Sequence, residues 1–130
     1  RRLGDTNRSA WGGFVVRGGG VTLYHAGDTG WFDGFAAIAE RFPAIDMALL
    51  PIGAYAPAWF MEPHHMNPEQ AIDALVTLRA GALVPMHWGA FQLTDEPLRE
   101  PVEWLLRAWE KRRPDARLQV LAVGETVAID

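Results

Sequence analysis

Two stretches of this chain bring a reactive side chain to the point where an apolar run breaks off. In Tyr24-His25-Ala26-Gly27-Asp28-Thr29-Gly30 a carboxylate sits between glycines. The backbone can turn tightly there, and little bulk screens Asp28. In Pro85-Met86-His87-Trp88-Gly89 an imidazole is placed the same way. Loops at strand ends are where α/β sheets hold their ligands. A carboxylate and an imidazole on neighbouring strand ends suit a borderline cation such as zinc. A plainer pair of roles fits the same residues: Asp28 capping a helix that starts near Trp31, and His87 hydrogen-bonded in the core. Two ligands alone do not complete a zinc site.

The elements that must position these groups follow from the apolar pattern. Gly13 to Arg17 and Val21 to Ala26 are short and β-branched, and the glycines at 18, 19 and 20 between them predict a hairpin. Phe32, Phe35, Ile38 and Phe42 recur at near-helical spacing and predict a helix closing before Pro43. Met47 to Ile52 reads as a strand covered on both faces. Gly53 to Asn67 dissolves into Pro, Gly and aromatic residues, the pattern of a long loop. Asn67-Pro68-Glu69-Gln70 then opens a helix, with Asn67 as cap, Pro68 first in the helix and Gln70 reaching back. Ile72, Leu75, Val76 and Leu78 are its expected buried face. A strand over Gly81 to Met86 leads into His87, and a helix over Leu98 to Arg112 stops at Pro114. Strands near Arg117 to Ala122 and Thr126 to Ile129 complete the pattern. Strands alternating with helices predict an α/β or layered fold.

The chain has 130 residues, 49% of them hydrophobic, and a formal net charge of −4. That composition fits one folded unit, 1–130, with no repeat or linker dividing it. The acidic balance argues against a nucleic-acid partner, which needs clustered Lys and Arg. With no cysteine, disulfides, thiolate nucleophiles and Cys-based zinc sites are excluded. No membrane-spanning run or signal segment is visible, so a cytoplasmic location is expected. The chain opens at Arg1 without a methionine, which raises the expectation that it is a piece of something longer.

The motifs, taken in order, resemble a known family. Ala26-Gly27-Asp28-Thr29-Gly30, Ile38 to Arg41, Pro51-Ile52-Gly53-Ala54-Tyr55, Trp59-Phe60-Met61, His65 with Pro68-Glu69, and His87-Trp88-Gly89 follow one another here, with Asn7, Trp11 and Gly12 upstream. Together they resemble the metallo-β-lactamase superfamily, in the branch of N-acylphosphatidylethanolamine-hydrolysing phospholipase D. The resemblance implies an α/β chain forming the C-terminal half of an αββα sandwich. It implies a metal-dependent phosphodiesterase with two zinc ions per complete domain, other divalent metals also fitting. By the same resemblance Asp28 bridges the ions, His87 ligates one of them, and His65 stands beside them as a catalytic group. His64 replaces a Gln of the relatives and His25 has no family role. Since adjacent side chains in an extended segment point apart, at most one of His64 and His65 faces the metals.

The family's His-x-His-x-Asp-His cluster and a further ligating His are absent. The resemblance therefore implies that the N-terminal half, or a partner chain, supplies most of a seven-ligand site. It also implies that this chain alone is inactive, holds two metals weakly, and self-associates or folds poorly because it exposes surface meant for the missing half. The implied substrate is a phospholipid, with peripheral contact at a membrane surface; lactonases and other esterases share the fold, and a non-catalytic half-domain or metal-free binding module is the contrasting reading. The loop from Tyr55 to Met61 could wall an acyl groove or meet a membrane interface, or simply supply core. Arg107, Lys111, Arg112 and Arg113 read as a solvated helix end with favourable dipole interaction, or as a phospholipid-facing patch.

Overall fold

A computed structural model describes residues 11–129, so Asn7 lies outside the described residues. Phe14–Gly18 (β1) and Val21–His25 (β2) form an antiparallel hairpin closed by the Gly18 and Val21 pair. Gly19 and Gly20 make its turn at positive φ, where a side chain would be strained. From β2 onward the sheet grows in one direction. Met47–Pro51 (β3), Ala82–Met86 (β4) and the short Arg117–Leu118 (β5) add in parallel, giving a five-stranded sheet in the order β1-β2-β3-β4-β5.

Parallel neighbours need crossovers. The chain supplies them with Gly34–Arg41 (α1), the single turn Ala58–Met61 (α2), Pro68–Leu78 (α3) and Glu100–Arg112 (α4). Crossovers of one hand on a sheet growing one way put the helices on one face. The register follows suit: Val15, Tyr24, Ala48, Leu83 and Leu118 lie abreast across the strands. They join Phe35 of α1, Ile72 and Leu75 of α3, and Leu105 of α4 in the main core. Each large side chain buried there contributes ~1.5–3 kcal/mol. This is the α/β class expected from the sequence.

The start of α3 is held by a reciprocal pair. The Asn67 side chain accepts from the Gln70 N–H, and the Gln70 side chain accepts from the Asn67 N–H, both at 2.9 Å. Ile72, Leu75 and Leu78 are buried, whereas Val76, expected among them, is 54% exposed. One residue beyond Leu75 turns about 100° around the helix axis and leaves the buried stripe. Near the same end of α3, Arg112 from the last turn of α4 donates to the Glu69 carbonyl and the Asp73 carboxylate, so it is not a free basic tip.

Two stretches depart from expectation. Residues 53–67 are not loop throughout, because α2 interrupts them, yet α2 buries nothing. Trp59 and Phe60 are exposed and supply no core, while Tyr55 packs edge-on against Trp104. The C-terminal stretch joins the sheet only at Arg117 and Leu118, and no strand forms at 126–129 among the described residues. There the Ala122 N–H donates to the Glu125 side chain and the Glu125 N–H to the Ala122 carbonyl, closing a turn that leaves the ladder.

The second face of the sheet is apolar and thinly covered. Met47, Ala82 and Val84 pack there with Leu23 and Leu49, and Leu121 and Ile129 lie against them. At the β1 end Phe14 is 70% exposed and Val16 58%. No helix among the described residues is long and apolar enough to cross a membrane. Removing the cap with Asn67→Ala is expected to cost ~1 kcal/mol, lowering the melting temperature by about 3–6 °C. Val76→Ala is expected to stay within about 0.5 kcal/mol of wild type, and thermal denaturation of both variants checks the pair.

Candidate metal centre

Asp28, His65 and His87 come from different loops at one edge of the sheet. Asp28 follows β2, His87 follows β4, and His65 lies in the crossover between α2 and α3. The strands β2 and β4 are not neighbours as expected; β3 runs between them. Their loops still meet, because parallel strands end on the same side. Main-chain bonds from Ala26 to Leu49 and from Ile52 to Met86, both 3.0 Å, carry the ladder out to that edge.

Close backbone approaches then fix the loops. A Cβ on Gly53 would lie 2.2 Å from the His87 carbonyl oxygen, so only glycine lets the β3 end pass under His87. A Cβ on Gly30 would lie 2.8 Å from the Glu62 carbonyl, which brings the Asp28 loop against the segment leading to His65. His87 itself holds φ 66°, a left-handed backbone that costs a non-glycine residue ~1 kcal/mol or more. Such strain persists only where the surroundings impose it.

The result is a tight cluster. Asp28 Oδ1 stands 3.4 Å from Nδ1 of His65 and 3.4 Å from Nδ1 of His87. The imidazoles stack with centroids 5.6 Å apart, and one donor atom from each residue lies within 4.8 Å of the others. His64 is exposed and outside the cluster. His25 is exposed too, and its Nδ1 accepts from the Gly27 N–H at 3.0 Å, shaping the turn before Asp28. The plainer roles do not hold. Helix α1 starts at Gly34 behind Asp33, without a side-chain cap, and the His87 side chain is 40% exposed.

The donor set fits a divalent cation. Nδ1 of His65 is buried and makes no hydrogen bond, although Asp28 is near. Burial lowers the pKa of His65, opposed by Asp28 and reinforced by His87 and His64, so its imidazole is neutral at pH 7. Ligands at zinc distances of ~2.0–2.2 Å around a tetrahedral ion stand about 3.4 Å apart, which is the separation of Asp28 from the His87 nitrogen. Beside His87 a cavity of about 230 Å³ opens, walled by Trp88, Phe91, Leu93, Pro97, Leu98 and Pro101. Glu96 also lines it, a residue that sequence reasoning passed over because a lone Glu before Pro looks like a solvated turn.

The His65 shift has a consequence for stability. Its folded pKa lies below the unfolded value, so the unfolded chain binds more protons in the interval between them. The stabilising effect of a neutral His65 is therefore present above ~6.5 and is lost as pH falls toward the folded value. Denaturant titration without metal at pH 7.5 and 5.5 is expected to show a larger loss on acidification for wild type than for His65→Gln. Equal losses would contradict the burial of a neutral imidazole.

Comparison with known proteins gives the site its context. The description "Beta-lactamase superfamily domain" applies to the family model that matches residues 1–88. N-acyl-phosphatidylethanolamine-hydrolyzing phospholipase D 1 of Caenorhabditis elegans is 39% identical over 129 residues, covering 96% of this chain and 36% of that protein. The mitochondrial enzyme of the same description from Saccharomyces cerevisiae is 43% identical over 108 residues, 81% of this chain and 23% of its own length. A solved metallo hydrolase from the archaeon Ignicoccus hospitalis matches with TM-score 0.64 and 32% identity, covering 88% of this chain and 44% of that one. The chain spans less than half the length of each. With its sheet, its edge cluster and these matches in agreement, the chain belongs to the metallo-β-lactamase superfamily.

Proposed function

We propose that this chain forms part of a divalent-metal-dependent hydrolase, a phospholipase D-type phosphodiesterase releasing N-acylethanolamine from N-acylphosphatidylethanolamine-like lipids. The observation that carries the reading is the convergence of Asp28, His65 and His87 donor atoms within 4.8 Å at one sheet edge. The names of the Caenorhabditis and Saccharomyces relatives support the lipid substrate, and the apolar cavity beside His87 supports a substrate with an apolar part.

Asp28 contributes the negative charge that holds cations, and His87 contributes an imidazole nitrogen beside it. A divalent ion, zinc on this reading, supplies Lewis acidity that acidifies water and offsets charge gathering on a phosphoryl oxygen. His65, neutral and with an unspent buried Nδ1, orients substrate or takes up a proton at that atom. Trp88 and Phe91 wall the cavity and offer apolar contact to the apolar part of the substrate. The remaining ligands come from a segment or partner chain beyond these residues, which also covers Phe14 and Val16 on the open sheet face. With that face open, the 130-residue chain by itself is expected to self-associate or fold poorly.

Zinc content and turnover, measured together in the full-length protein that carries this chain, test these roles. Asp28→Asn is expected to lower both, because the amide keeps the shape and loses the charge. His87→Ala is expected to lose part of the metal and most of the activity, only partly restored by excess zinc. His65→Ala is expected to keep its zinc and lose turnover by ~10–100-fold; loss of zinc instead would make His65 a ligand. Substrates are an N-acylphosphatidylethanolamine, a simple phosphodiester and a lactone. Lactone opening without phosphodiester cleavage would transfer the chain to the esterase branch, and full activity in Asp28→Asn would remove its role.

A further inference from the structure

Glu96 is a buried carboxylate held by backbone. Its Oε1 accepts from the Ala54 N–H at 2.6 Å and the Tyr55 N–H at 3.2 Å, and its Oε2 accepts from the Ala56 N–H at 3.1 Å. Only 8% of the residue is exposed. Burial would raise its pKa, but hydrogen bonds, that with Thr94 first among them, outweigh this and hold it below the ordinary value. Three successive amides gathered on one anion are a strong anchor, since charge-assisted hydrogen bonds are about twice as strong as neutral ones.

What is anchored lies directly against the site. Ala54 holds φ 65°, a left-handed backbone that needs such a restraint. Gly53, the residue before it, is the one whose Cβ would lie 2.2 Å from the His87 carbonyl. Glu96 belongs to the same loop as His87, downstream of it, so the contacts form a closed ring. From Glu96 the ring runs to the amides of 54–56, through Gly53 to the His87 backbone, and along the chain back to Glu96. His87 needs that support, because it too is held at a left-handed φ, 66°.

We propose that Glu96 is a positioning residue for His87: by fixing the loop that leaves β3, it sets where the His87 backbone stands and hence where its imidazole points. Its effect on metal binding rests on the reading of Asp28 and His87 as ligands; its effect on His87 does not. Glu96→Gln keeps the outline of the side chain but turns an NH2 donor toward N–H donors, leaving at least one unmatched. Glu96→Asp keeps the charge with a shorter reach.

The test compares both variants with wild type in the full-length protein. It reads the backbone amide NMR signals of His87, His65 and Leu75, and zinc affinity by titration with the metal alone. Glu96→Gln is expected to move the His87 amide, leave Leu75 in the core unmoved, and weaken zinc binding by ~10-fold. Glu96→Asp is expected to recover part of that affinity. A Glu96→Gln protein that melts lower yet keeps wild-type zinc affinity and an unmoved His87 amide would overturn the proposal, making Glu96 a clamp of the fold alone. If Glu96→Gln does not fold, Glu96→Asp decides by the same signals, an unmoved His87 amide again overturning it. If wild type binds no zinc, the ligand reading falls, while the amide signals still judge Glu96.

Discussion

An oxygen of Asp28 stands 3.4 Å from two imidazole nitrogens at once, and one of those imidazoles is kept neutral by burial. A neutral ring offers Asp28 no charge, and the buried Nδ1 of His65 finds no hydrogen-bond partner. Buried polar atoms are satisfied in the great majority of folded proteins, so an orphan of this kind calls for a missing partner. On the proposed reading a cation held by Asp28 and His87 satisfies those two groups, and the unspent Nδ1 of His65 faces the same space, where substrate would meet it. The rest of the sheet edge is shaped to keep that arrangement.

The shape begins with strand direction. Because β2, β3 and β4 are parallel, their following loops emerge on one side, and residues separated in sequence by tens of positions meet there. Glycines 30 and 53 permit the close backbone contacts that lock those loops, and Glu96 ties the β3 loop to the β4 loop. The same one-way growth gathers the helices on one face and leaves the other apolar and thinly covered. An exposed apolar surface of this sort marks an interaction surface. The site and the open face thus share one architectural cause.

Local signals were readable in the sequence wherever local physics decides the outcome. The Gly-rich hairpin, the Asn67 and Gln70 capping box and the apolar runs of β3 and β4 all formed. Val76 deceived because composition does not reveal which side of α3 faces the sheet. The C-terminal strands formed only in part: the chain pairs with β4 at Arg117 and Leu118 and then leaves the ladder into the turn that the Ala122 and Glu125 bonds close, a local side-chain bond that the apolar pattern does not show. Asp28 and His87 could be singled out from strand-then-glycine context, whereas His65 was visible only through family resemblance. Glu96 gave no signal at all. Its partners are the amides of residues 40–42 positions upstream, and backbone donors carry no mark in a sequence.

The most direct measurement is anomalous diffraction at the zinc edge from crystals of the full-length protein grown with zinc. A metal within ~2.0–2.2 Å of a carboxylate oxygen of Asp28 and an imidazole nitrogen of His87 is the expected result. Full-length crystals with no anomalous peak at this edge, and with Asp28 hydrogen-bonded to protein instead, would contradict a metal centre at this site.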